Sequence, residues 1–308
     1  HEENGLWACR DSFLLSRDLR GIMGFKGIVI SDVGVAMDTV AYESSFERGL
    51  DISLNSPSVL PPTDKSKEAM TRGVEMLVSA FTHMNNAEMA GCSPPDCVNE
   101  LAANARSEAH SSVARTAASS AVVLLKNDKH LLPLVDATKT LAISGPAALV
   151  PGSQSSEDYY SGVNEGHVPR RDFTSPAEAI RSKAISLGFK VASDIHHADI
   201  CIVIGGAANH EEHWNLDQES PAAIDAAAAA CPKTVVLMQT NGAVLTPWKG
   251  KVTSIMSMFH AGEETGSAWA LTLFGDVTPS GKLPISFPDS AQEQEDWWNE
   301  KIPSYWSS

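Results

Sequence analysis

Between residues 140 and 275 the sequence alternates apolar, β-rich runs with helix-forming stretches, and this rhythm constrains the fold more than any other feature. "TLAISG" (140–145), "FKVAS", "ICIVIG", "TVVLMQT" and "VTSIMSMF" have almost no polar alternation. A strand with one wet face alternates, so these runs belong to a sheet covered on both faces, as parallel sheets are. "SPAEAIRSKAISLG" (175–188) reads as a helix with a Ser cap, Pro in its first turn and Gly at its end. "SPAAIDAAAAAC" and "GEETGSAWALTLFG" read as further helices between or after the strands, and the Ala run at 226–230 expresses helix propensity. The expected fold class is α/β, a doubly wound sandwich with a mostly parallel sheet over 134–308. Ligands of such sheets bind beyond the carboxyl ends of the strands, which selects the loops 144–165, 205–220 and 240–248.

The first third has a similar beat. "GIVISD" and "LDISLN" look like strands separated by a polar, helix-compatible stretch, the pattern of parallel βα units. From Asp64 onward, Met70, Val74, Leu77, Phe81 and Met84 recur at helical spacing and predict one apolar face. A second helical segment is expected from about Val98 to Leu125, ending in "VVLLKNDKHLLPL", with a boundary near Pro133. A chain of 308 residues, 43% hydrophobic and 20% charged, has room for two cores. The expected division is 1–100, a helical linker over 101–133, and 134–308.

A formal net charge of −15 without any Lys/Arg-rich tract argues against nucleic acid or an anionic membrane as partner. No stretch approaches the ~18–20 apolar residues of a membrane helix. The first residue is His1 rather than Met, which reads as a processed chain or a fragment. Five cysteines are too few and too scattered for a disulfide framework. Cys92 and Cys97 bracket a Pro-rich loop where either a local disulfide or a zinc half-site fits, although no second Cys/His pair has the spacing zinc needs.

Candidate chemistry gathers in few places. "GFKGIVISDV" is a buried-strand pattern that ends in Asp32, and a carboxylate at the rim of a core needs a partner or a use. Past the "ICIVIG" strand, "GGAANHEEHWNLDQES" collects Glu211, Glu212, His210, His213 and Trp214. "SSEDYYSG" supplies Tyr159 and Tyr160, and "GAVLTPW" presents Trp248. Aromatic faces beside carboxylates suit sugar rings, which stack on one and hydrogen-bond to the other. Blander readings stand beside these. The histidines fit a solvated loop, Asp32 could cap a turn, and "IGG" and "SGPAA" lack the rest of a phosphate-loop motif.

"NGLWACRDSFLLSRDLRGIMGFKGIVISD" (4–32) resembles the segment of glycoside hydrolase family 3 that leads to its nucleophilic aspartate. "ERGLDISL", "HSSVARTAASSAVVLLKNDKHLLPL", "DYYSG", "TVVLMQTNGAVLTPW" and "HAGEETGSAWALTLFGDVTPSGKLPISFP" are similar to later signatures of the family, in the same order. The resemblance implies that 1–100 is the last part of a (β/α)8 barrel, a partial barrel remnant preceding the α/β sandwich. It implies a retaining β-glucosidase or β-xylosidase with Asp32 as nucleophile and Glu211, or else Glu212, as acid/base. Trp214, Tyr159 and Tyr160 would bind a carbohydrate substrate, with no cofactor and no metal. A secreted or lumenal location is implied, together with a partner or missing segment to cover the incomplete barrel. The sequence departs from the family where a Glu-Gly-x-Asp-Arg run is common, since "EHWNL" offers Asn215 and no Arg. A non-catalytic sugar-binding relative, a structural subunit or an inactive fragment is the alternative. A hexosaminidase or phosphorylase with a histidine acid has little support.

Overall fold

The computed structural model describes residues 2–3, 6–32, 45–54, 64–85, 103–149, 159–160, 168, 173–207, 215–217, 219–288 and 290. They fall into two compact units, His1–Asn104 with Pro303–Ser308, and Ala105–Ile302.

The first unit opens with a short antiparallel pair, β1 (Glu2–Glu3) and β2 (Leu6–Trp7). A π-helix follows over Phe13–Ile22, in which the Met23 N–H reaches back to the Asp18 carbonyl. Its start is held by Asp11, whose Oδ1 accepts the N–H groups of Phe13 at 2.8 Å and Leu14 at 3.3 Å. The two expected strands do meet in parallel, but only at the Ile30–Ile52 bridge. Ser31 N–H donates to the Ile52 carbonyl at 2.9 Å, and Ile52 N–H to the Val29 carbonyl at 3.1 Å. Among the described residues this single parallel contact does not amount to a barrel wall.

Helix α1 (Asp64–Asn85) forms where the periodicity predicts one, yet it packs through a different face. Ala69 and Gly73 are buried, whereas Val74 and Phe81 are 59% and 62% exposed. Gly73 decides the matter, because a Cβ there would stand 2.7 Å from the Asp51 carbonyl oxygen. Only a glycine lets the helix approach that backbone, so close packing outranks the apolar stripe.

The second unit contains α2 (Glu108–Ser120), β3 (Val123–Asn127), β4 (Thr140–Ser144), α3 (Pro176–Ser186), β5 (Lys190–Ala192), β6 (Ile200–Gly206), α4 (Glu219–Ala230), β7 (Lys233–Gln239), β8 (Ser254–Met258) and α5 (Thr265–Leu273). The six-stranded sheet has the order β3-β8-β7-β6-β4-β5, parallel except for the β3–β8 pair. One face, through Ile202, Ile204, Leu237 and Met256, packs on Ile180 of α3 and Trp269 of α5. The other, through Val203, Val236 and Met238, packs on Ile224 and Ala227 of α4. Helix α3 begins as the sequence predicts, with the Ser175 hydroxyl accepting the Glu178 N–H, and it is followed by Gly188 at φ 87°.

The "VVLLKN" segment, expected at the end of a helix, is instead the β3 edge strand. Helix α2 stops at Ser120, and a β8 ladder takes up the backbone groups of 123–127. That ladder, together with burial of Val122 and Val123, outweighs local helix propensity.

Two of the scattered cysteines also meet. Cys201 on β6 and Cys231 just after α4 form a disulfide with their Cα atoms 5.9 Å apart, while Cys92 and Cys97 lie outside the described residues. Thirty residues separate the pair in sequence, but one β–α connection brings them side by side. Loop-closure entropy for that separation predicts that reduction lowers the stability of this unit by about 3–4 kcal/mol. Urea denaturation with and without reductant, alongside a thiol count, checks this. An unchanged midpoint with both thiols titrating would contradict it.

Candidate active site

Asp32 ends the segment 28–32 and is exposed, directly beyond the bridge at Ile30. Its backbone support is dense. Ser31 is buried, and its hydroxyl accepts the Leu54 N–H at 3.2 Å. Two residues earlier, Val29 N–H donates to Asp51 Oδ2 at 2.8 Å. The Asp51 side chain is 0% exposed and pairs with Arg20, itself 18% exposed, through a short contact between Nη2 and Oδ2. Arg20 also donates to the carbonyls of Gly27 and Gly49, each at 3.3 Å. One guanidinium thus ties together the backbone before Asp32 and the segment paired with it. Arg72 of α1 approaches Asp51 from the other side at 3.6 Å. Sequence reasoning passed over Arg20 and Asp51, whose only signal was an arginine and an aspartate inside otherwise apolar motifs. Nearby, burial pushes the Cys9 thiol up, with the Asp32 carboxylate adding to the shift.

In the second unit the chain leaves β4 toward β5 on one side and returns to β6 on the other. This reversal between β4 and β6 is the position where doubly wound sheets open a crevice. Gly145, at φ 107°, lets the loop after β4 cross the end of β6, where a Cβ would collide with the Ile204 carbonyl. Ala147 N–H then donates to that same carbonyl at 3.1 Å.

The two tyrosines share this place but differ in role. Tyr160 is 1% exposed, donates its hydroxyl to the Ala147 carbonyl, and packs on Phe173 with ring centroids 4.8 Å apart. It is a core residue, with no ring face turned outward for a sugar. Tyr159 is half-buried and lies over Gly206, where any Cβ would strike its ring. Burial first, then the nearby Asp217 and Glu219 carboxylates, hold its acidity far below that of an ordinary phenol. Asp217 N–H donates to the Gly206 carbonyl at 2.9 Å, closing the loop after β6 at its base.

Glu211, Glu212 and Trp214 lie outside the described residues, as do His210 and His213. Trp248 is 3% exposed and packs against the α4 face of the sheet, so it is a core residue and not a ligand platform. A cavity of about 210 Å³ lined by Arg106, His110, Glu263 and Glu264 is built around ion pairs. There Arg106 binds Glu263, and Arg115 binds Glu264 at 2.9 and 3.1 Å. Among the described residues no group of three or more His, Cys, Asp or Glu could hold a metal ion, and no helix is long and apolar enough to cross a membrane.

Residues 122–305, more than half of the chain, match the model of the glycosyl hydrolase family 3 C-terminal domain. The chain belongs to glycosyl hydrolase family 3. Its family 3 relatives include thermostable beta-glucosidase B of Acetivibrio thermocellus, 28% identical over 92% of this chain and 40% of the relative. An exo-alpha-(1->6)-L-arabinopyranosidase of Bifidobacterium breve is 27% identical over the same shares of both chains. Among solved structures, beta-D-glucoside glucohydrolase of Trichoderma reesei superposes with a TM-score of 0.74 at 22% identity, over 94% of this chain and 46% of that one. This family 3 chain therefore spans less than half the length of the relatives it matches.

Proposed function

We propose that this chain carries the nucleophile and the acid/base of a retaining β-glycosidase acting on β-glucosides, with β-xylosides next in order. The observation that supports this most is Asp32, an exposed carboxylate at the end of a segment whose backbone is fixed by the buried Asp51–Arg20 pair. Relatives named beta-glucosidase match over more than nine-tenths of the chain, which favours that sugar class.

In the reaction, an Asp32 oxygen attacks the anomeric carbon as the glycosidic C–O bond breaks, and Glu211 gives its proton to the departing oxygen. Glu212 is the second choice for that acid. The resulting glycosyl ester on Asp32 is opened by water, whose proton returns to the same glutamate, so the anomeric configuration is retained. Two carboxyl groups suffice, one ionised and one protonated. Trp214 supplies the aromatic face for the sugar. A last barrel portion for 1–100 remains part of this proposal.

Release of nitrophenol from an aryl β-glucoside by the purified chain at mildly acidic pH tests the reading. Turnover with retained configuration supports it, and absence of turnover from a folded chain overturns it. The second reading is a non-catalytic sugar-binding relative. It is favoured by Asn215 and the missing Arg in "EHWNL", and it predicts glucoside binding without turnover.

A further inference from the structure

We propose that the cavity between the start of α2 and the turn Gly262–Glu264 ahead of α5 is an accessory site for a neutral, hydroxyl-rich ligand, a single pyranose. It measures about 210 Å³ and is lined by Arg106, His110, Ser111, Ala114, Glu263 and Glu264. At a water's share of about 30 Å³, this is room for about seven waters, the bulk of one sugar ring with its hydroxyls. His110, Ser111 and Ala114 share one face of α2, and the small Ala114 leaves the space beside them open.

The walls are set before anything binds. The Ser107 hydroxyl accepts the His110 N–H at 3.2 Å and fixes the first turn of α2. Gly262, at φ 66°, turns the opposite wall, and the Thr265 hydroxyl donates to its carbonyl at 2.8 Å. Arg106 clasps Glu263 through two contacts, one of them at 3.0 Å, and Arg115 holds Glu264 at 2.9 and 3.1 Å. The two carboxylate side chains are 22% and 13% exposed, so the paired geometry is partly shielded from water.

This charge matching selects the ligand. An anion gains little, because each guanidinium already faces a carboxylate and Glu108 adds a negative charge near Arg115. A metal ion lacks a ligand set, since among the described residues no three His, Cys, Asp or Glu could hold one. A neutral polyol breaks neither ion pair. Each Glu264 oxygen accepts one N–H from Arg115 and keeps a second lone pair for a hydroxyl. The His110 imidazole and the Ser111 hydroxyl carry no side-chain hydrogen bond among the described residues, which leaves both for the same ligand. The choice of a pyranose over other polyols rests on the glycosidase reading above, whose product is a free sugar.

The test titrates D-glucose into the isotope-labelled full chain and follows its amide resonances. The amides of 106–114 and 262–265 shift saturably, with half-saturation in the millimolar range. In His110→Ala with Ser111→Ala, which removes two side chains from an exposed helix face, the same shifts need about 10-fold more glucose. Sodium phosphate and magnesium chloride at matched concentrations leave these amides in place, and glycerol moves them only at much higher concentration. No saturable shift at these amides overturns the site, as does equal binding in the double variant. A stronger response to phosphate, magnesium or glycerol overturns the pyranose assignment. Hydrolysis of an aryl β-glucoside is measured separately, so a chain that shows the shifts without turnover keeps this site and sinks only the catalytic reading.

Discussion

With Asp32 as the proposed nucleophile, Asp32→Asn is expected to lower turnover of aryl β-glucosides by more than about 1,000-fold while leaving the fold intact. The substitution is nearly isosteric and the side chain is exposed, so little packing changes. Asn can still accept hydrogen bonds, but it cannot form the glycosyl ester, and the double displacement loses its first step. Product stereochemistry separates nucleophile from acid. With Asp32→Gly, added azide attacks from the vacated side in a single displacement and gives the inverted glycosyl azide. With Glu211→Ala the nucleophile survives, and azide replaces water in the second step to give the retained product. The same pair of assays on Glu212→Ala shows which glutamate is the acid/base. A retained azide product from Asp32→Gly would take the nucleophile's role from Asp32.

Arg20→Met destabilises the first unit by about 3–5 kcal/mol. Asp51 is fully buried, and without Arg20 its charge keeps, among the described residues, only the Arg72 guanidinium, which stands 3.6 Å away without a hydrogen bond. Breaking a buried pair from one side leaves an uncompensated charge, which is why the expected loss exceeds that of any exposed ion pair here. Asp51→Asn, which can still accept the Val29 N–H, costs less because it leaves no buried carboxylate behind. Urea denaturation of the three proteins, monitored by exchange within 27–54, measures the difference. A loss below about 1 kcal/mol for Arg20→Met would show that the pair does not hold this segment. If it does hold it, Arg20→Met also lowers kcat through the misplaced Asp32.

Local patterns made much of the second unit legible. The runs at 140–144, 190–192, 200–206, 233–239 and 254–258 are strands because sustained apolar, β-branched sequence admits little else between covering helices. Helix α3 announces its own start through Ser175 and Pro176. Several residues misled for one common reason. Phe81, Tyr160 and Trp248 are large and apolar, and sequence does not tell whether such a ring faces the core, a ligand or water. Val123–Asn127 follows a helix-forming stretch, and only the β8 partner made it a strand.

The candidate site divides along the same line. Asp32 was visible because an acid closing an apolar run is a local anomaly. Arg20, Asp51 and Gly206 were not, since each acts through a partner that is distant in sequence.

The sequence by itself determined the α/β class and, β3 apart, the strand segments of the second unit, and it singled out Asp32 as a candidate, because these depend on neighbours within a few residues. Only the tertiary structure decided the strand order, the packed face of α1, the Cys201–Cys231 bond and the seat of Tyr159 on Gly206. Each of those is a contact between remote segments, chosen by close packing and by the satisfaction of buried polar groups.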